Sequence, residues 1–240
     1  MKPNITCLNT HDPTDRKRPN DMNERILNLL KDSFVQILLP GLEMTVPLTV
    51  ISFSLGLVIA LVTALVQVAN VKVLRQLARF YVWIFRGTPM LVQLYVVFYG
   101  LPKVGLILDA FPAAVVVFSL NTGAYASETI RAAILSVPVG QMEAGYCSGM
   151  TYMQTMRRII LPQAMRTAFP PLSNSLIGLV KDTSLASNIT VTEMFLTAQR
   201  IASRTYEPFW MYLEVGFIYL IFCTALTWLQ RRLEKKLERK

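Results

Sequence analysis

The sequence predicts an all-α membrane protein with about five transmembrane helices, and three observations lead there. Of its 240 residues, 53% are hydrophobic, above the roughly 45–50% of a soluble domain. Those residues gather into runs of about twenty, enough to cross a hydrocarbon core of about 30 Å at about 1.5 Å per helical residue. Most of the 24 lysines and arginines fall between the runs and at the C-terminus, where membrane topology places them. The net charge of +9 is thereby accounted for without nucleic acid.

Taken in order, residues 1–21 read as a polar disordered tail without the apolar stretch of a signal peptide. Met22 is an alternative start, because MNERILNLLKDSF opens a more ordered pattern. Residues 22–42 carry Ile26, Leu29, Leu30, Phe34, Ile37 and Leu38 at helical spacing, with Lys31 and Asp32 opposite. That pattern predicts an extracytoplasmic interfacial helix. Residues 43–230 form the transmembrane domain, with spans near 44–68, 80–101, 112–127 (continuing past Arg131), 171–189 and 209–229. The second is interrupted by Arg86-Gly87-Thr88-Pro89, and the fourth carries Lys181 and Asp182. Trp83, Trp210 and Tyr212 stand near span ends as an aromatic belt. Residues 231–240 are a basic tail.

Fourteen Lys and Arg lie on one side of this arrangement, in 72–86, 131–166 and the tail, against five on the other. The bias places the C-terminus and a segment at 136–170 in the cytoplasm, with the N-terminus outside. Catalysis by histidine is excluded, since the single histidine is His11 in the polar tail. Cys7, Cys147 and Cys223 have no metal-ligand spacing. No glycine-rich phosphate loop ending in Gly-Lys-Ser/Thr is present. The scattered acids argue against a membrane-bound enzyme.

The segment 136–170 reads as two short helices joined at a glycine. Small Ala144, Gly145 and Gly149 allow another backbone to come close. Glu143 suits the start of a helix, and Pro162 ends or kinks what precedes it. Met150, Met153, Met156, Ile159 and Ile160 form an apolar stripe suited to a partner's groove. The pattern Glu143-Ala144-Gly145, Gly149, Ile159, Leu161 and Pro162 resembles the EAA loop of permease subunits of ATP-binding-cassette importers. Glycine stands there in place of the second alanine. Phe85-Arg86-Gly87-Thr88-Pro89 with Gln93, Asn121-Thr122-Gly123-Ala124-Tyr125 leading to Glu128 and Arg131, and Leu179-Val180-Lys181-Asp182-Thr183-Ser184-Leu185 resemble permeases for polar amino acids. Pro170-Pro171-Leu172-Ser173-Asn174-Ser175 adds a likeness to the cystine group.

The resemblance implies a type I importer fold with the loop as the ATPase-coupling segment. It implies partners: a second permease subunit, favouring a homodimer, two ATP-binding subunits, an extracytoplasmic solute-binding protein, and membrane lipid. It implies no cofactor in this chain, ATP and Mg being held by the ATPase. A zwitterionic substrate needs a cation for its carboxylate and an anion for its ammonium. Lys181 and Asp182, about 15 Å into the fourth span, with Glu128 and the hydroxyls of Thr122, Thr183 and Ser184, supply such a set. The same charges serve equally well to pair with one another and hold helices together. Arg86 reads as an anchor at the inner interface that braces the break in the second span. A self-contained secondary transporter or channel is the rival, but leaves the docking-shaped loop unexplained.

Overall fold

The computed structural model describes residues 19–69 and 71–238. The first eighteen residues of the expected polar tail lie outside the described residues. Ten α-helices follow: α1 Pro19–Pro40, α2 Val46–Val68, α3 Lys72–Gly87, α4 Met90–Tyr95, α5 Ala110–Ser136, α6 Val139–Cys147, α7 Tyr152–Thr155, α8 Leu161–Asp182, α9 Met194–Thr205 and α10 Pro208–Glu238. Three described stretches are long and apolar enough to cross a membrane: Asn23–Val68, Ala110–Ser136 and Pro208–Lys236. A fourth is the pair Lys72–Gly87 and Met90–Val104, bent by 105° at its break. The protein is thus an all-α multi-pass membrane protein with three to four apolar spans. The region expected as the span 171–189 belongs to α8, which ends at Asp182 and tightens into a 3₁₀ turn over Thr183–Ile189.

The centre is inside out relative to a soluble domain. Helix α2 buries Ser52, Gly56, Ala60 and Ala64 at four-residue spacing, while Val50, Leu55, Val58 and Val62 point outward. In lipid the bulky residues lose nothing by facing out, and helices associate through close approach of small ones. Here the approach is very close. A Cβ on Gly56 would lie 2.9 Å from Thr122 Cβ, and one on Gly123 2.8 Å from Ile59 Cγ2. This crossing of α2 and α5 lays down the wall on which the polar residues of α5 are displayed.

Prolines leave a regular trace. Each of the three π-turns, Gly41–Thr45, Val96–Gly100 and Met156–Ile160, ends two residues before a proline: Pro47, Pro102 and Pro162. Proline brings no N–H and its ring collides with the carbonyl four residues back. One wider turn moves that carbonyl aside and lets the chain continue. At Pro162 the preceding α7 gives way to the π-turn, which stops at Ile160, and α8 starts beside the proline at Leu161 and runs on to Asp182. By the same device α1 passes into α2 as one run of 46 residues. Its buried Ile37 packs with Met194, Ala198 and Ile218 of α9 and α10, and Ser33 donates to the buried Glu214 carboxylate at 2.5 Å.

Candidate functional site

Two cavities flank the break between α3 and α4. The break itself is clamped from within. The Gln93 amide, buried in α4, donates to Phe85 O at 3.0 Å, Thr88 O at 3.1 Å and Thr88 Oγ1 at 2.8 Å. Asn121 of α5 donates to Gln93 Oε1 at 3.2 Å. The carbonyls freed at the end of α3 are thus satisfied by side chains, as the interior of a membrane requires.

The first cavity, of about 360 Å³, is lined by Thr88, Pro89 and Met90 at the break, Asn121, Thr122 and Tyr125 on α5, and Ser175, Gly178, Leu179 and Asp182 on α8. Four hydroxyl-bearing residues, Thr88, Thr122, Ser175 and Tyr125, thus share the lining with one carboxylate, the Thr88 and Ser175 hydroxyls donating to Ile84 O at 2.8 Å and Pro171 O at 3.0 Å. Among the described residues Asp182 accepts no hydrogen bond and forms no salt bridge. A half-buried carboxylate lining a cavity with polar residues is suited to a cationic group such as an ammonium.

The second cavity, of about 350 Å³, is lined by Gln67, Arg79, Val82, Trp83, Arg86, Glu128 and Arg131. Arg131 pairs with Glu128 at 2.8 Å, the one ion pair among the described residues. The Arg86 guanidinium lies over the Tyr125 ring, 5.3 Å from its centre. Arg86, expected as an anchor and brace, thus faces a cavity.

The residues expected to form one substrate set are divided between these places. Thr122 and Asp182 share the first cavity, and Glu128 faces the second. Lys181 is exposed and lines neither cavity. Thr183 is buried and donates to Val180 O at 2.7 Å, and Ser184 donates to Lys181 O at 2.7 Å. Both hydroxyls therefore serve their own helix. Glu128 finds its partner on its own helix, not on α8. Two polar residues outside the expected site set matter here, Gln93 having entered only through the Arg-Gly-Thr-Pro resemblance. Gln93 is the clamp, and Glu193 is a fully buried carboxylate that caps α9 through Phe195 N and Leu196 N at 2.7 Å each and accepts from Tyr219 at 2.8 Å. An acid just ahead of an apolar helical run was the available hint for the cap.

The segment 139–162 folds into an elbow. Helix α6 ends in a reversal where Gly149 has φ +76° and Met150 N donates to Gly145 O at 3.0 Å. Thr151 then opens α7 with a reciprocal capping box to Gln154. Gly145 is buried, and a Cβ there would run into the Thr155 side chain. Its small size serves the elbow's own packing, which explains why alanine is replaced. Gly149 meets nothing within 4 Å, so it is needed for its backbone angle and not for close approach. Glu143 is exposed in the middle of α6, not at its start, and Ala144 is exposed beside it.

The apolar stripe is likewise corrected. Met156 and Ile160 are buried against Ala60, Ala64, Ile130 and Ile134, while Ile159 and Leu161 pack at the edge of that cluster. Met153 alone of the stripe is fully outward, at 69% exposure, with Val139, Tyr146 and Tyr152. Partial burial, with Tyr146 alongside, pushes the Tyr152 hydroxyl above its ordinary pKa.

Residues 34–239 match the family described as binding-protein-dependent transport system inner membrane component. The chain belongs to this family, as a permease subunit of the polar amino-acid group of ATP-binding-cassette importers, and it acts with a separate ATPase that carries the ATP and Mg. Among individual relatives, it is 51% identical over 213 residues to the L-cystine transport system permease protein TcyB of Bacillus subtilis strain 168, covering 88% of this chain and 91% of the relative. It is 38% identical over 220 residues to the L-cystine transport system permease protein TcyL of the same strain, covering 89% and 92%. A solved amino acid ABC transporter with histidines superposes with a TM-score of 0.80 at 33% identity, over 86% of this chain and 96% of that one. Membership in a family that works with a separate ATPase decides against the self-contained transporter or channel. The chain is a transport subunit, not a catalytic enzyme.

Proposed function

We propose that this permease imports L-cystine and that the Asp182 cavity receives one ammonium group of it. The observation that carries the reading is a carboxylate with no hydrogen bond or salt bridge, sharing a cavity with four hydroxyl-bearing residues at the break of a bent helix pair. Similarity to two cystine permeases supports the choice of substrate. Thr122, Thr88 and Tyr125 would orient the amino acid, and Glu128 would act one cavity further along.

The same reading gives five spans, counting α8 with its 3₁₀ extension as the fourth. The excess of Lys and Arg supports a cytoplasmic C-terminus and an outer N-terminus. The elbow, with exposed Glu143, Tyr146, Met153 and Gly149, would seat in a cleft on the ATPase. Ile159, Leu161 and Pro162 would join it stiffly to α8. Two copies of this chain would pair, with a solute-binding protein delivering cystine from outside. Closure of the ATPases would then move α8 and the α3–α4 break as rigid levers.

The test is uptake of labelled L-cystine by proteoliposomes holding the permease, its ATPase and its binding protein. Asp182→Asn is expected to cut uptake by about tenfold or more, the scale of one lost charge-assisted contact, with the complex still assembled. Unchanged uptake by that assembled variant, or full uptake without the ATPase, overturns the reading.

A further inference from the structure

The arginine-lined cavity holds more positive charge than its surroundings account for. Three guanidiniums, of Arg79, Arg86 and Arg131, face one carboxylate, that of Glu128. Arg131 has taken that carboxylate. Arg79 and Arg86 form no salt bridge among the described residues. Gln67, at 8% exposure, lines the same cavity and interacts through its side chain with the Glu128 carboxylate. Two guanidiniums without a salt bridge lining one cavity favour an anion there, and guanidinium is the side chain best shaped for a carboxylate.

The cavity also adjoins the first one. Tyr125 lines the Asp182 cavity, Arg86 lines the arginine cavity, and the two side chains stack on each other. Asn121, Thr122 and Tyr125 face the first space, and Glu128 and Arg131, on the next turns of the same helix, face the second. The polar stripe of α5 therefore runs from one cavity to the other past the Arg86–Tyr125 cation–π pair, an interaction of about 1 kcal/mol or less between exposed side chains.

We infer that the arginine cavity is a second station on the translocation path, which binds a carboxylate of the amino acid, with the Arg86–Tyr125 pair as the door between the stations. This rests on the cystine reading above. Cystine carries two ammonium and two carboxylate groups, so it can present an ammonium to Asp182 and a carboxylate to Arg79 and Arg86.

Trp83 lines the cavity and reports on it directly. In the permease–ATPase complex carrying Trp210→Phe and Trp228→Phe, in neutral detergent, Trp83 emission is followed during titration with L-cystine and with cystamine, which lacks both carboxylates. L-cystine is expected to shift the emission at a concentration about tenfold lower than cystamine. Arg79→Gln with Arg86→Gln is expected to abolish that preference, and Arg86→Lys to weaken it by about threefold while keeping the charge. Equal responses to the two compounds, or a preference that survives in both variants, overturns the station. A shift driven by phosphatidylglycerol and not by any amino acid makes the site a lipid headgroup site and also overturns it. A response to L-glutamine without one to L-cystine upholds the carboxylate station and removes cystine as the substrate.

Discussion

The break at 87–89 and the elbow at 145–155 both turn the helical chain sharply, and they are held in opposite ways. The break is bent by 105°, and its local Gln93 clamp is itself tied to another helix: Asn121 reaches back 28 residues to Gln93 and 36 to Phe85. The elbow is fastened by its own neighbours. Gly149 supplies the left-handed angle, Thr151 and Gln154 cap each other three residues apart, and Thr155 fills the space above Gly145. A bend tied to another helix must move when that helix moves. A bend tied to itself keeps its shape while it is carried along. The first is suited to a gate and the second to a rigid coupling.

The largest expected effect breaks the elbow. Gly145→Val drives a branched side chain into Thr155, and overpacking of this kind costs about 3 kcal/mol. Co-purification of the ATPase with the variant is expected to be lost, while thermal unfolding of the membrane bundle shifts little. If the ATPase still co-purifies, the elbow is not held by its own packing.

Next comes the clamp. Gln93→Leu leaves the Thr88 carbonyl without its donor and the Phe85 carbonyl with only the 3.4 Å bond from Asn121, at about 2 kcal/mol. Here the contrast runs the other way: the ATPase should still co-purify, and cystine uptake should fall about tenfold or more. Loss of both together would show that the two bends are one mechanical unit.

The smallest effect sharpens the comparison. Gly149→Ala asks an L-residue to hold φ +76° and costs about 1 kcal/mol, with no steric clash to confuse it. Uptake coupled to ATP hydrolysis should drop about threefold, and Gly149→Asn, which tolerates that region better, should fall between alanine and the natural glycine. A larger loss with alanine than with Gly145→Val would contradict the assignment of Gly149 to backbone shape.

Much of this was legible in the chain. The apolar runs at 44–68 and 209–229 appear in helices that meet the demands of a span, and the interruption at Arg86-Gly87-Thr88-Pro89 marks the break. Prolines and glycines carried that signal, because their backbone limits hold wherever they stand. The destination of the Met and Ile stripe was not legible. Met153 and Met156 are alike by composition and three residues apart, yet one is exposed and the other buried. Which face turns inward depends on where α2 and α5 lie beneath it. The polar residues of α5 and α8 were recognisable as polar and as misplaced in a membrane, but their grouping was not. Thr122 and Glu128 are six residues apart and face different cavities.

The sequence alone determined the solvent this protein lives in and the points where its helices bend or end. These follow from the summed transfer of side chains into hydrocarbon and from local backbone sterics, which need no knowledge of neighbours. Only the tertiary structure decided which charges stay unpaired. Glu128 is neutralised by Arg131 on its own helix, while Asp182 and two arginines are left facing cavities. Electrostatic pairing depends on distances between helices that are far apart along the chain, and those distances are set by packing.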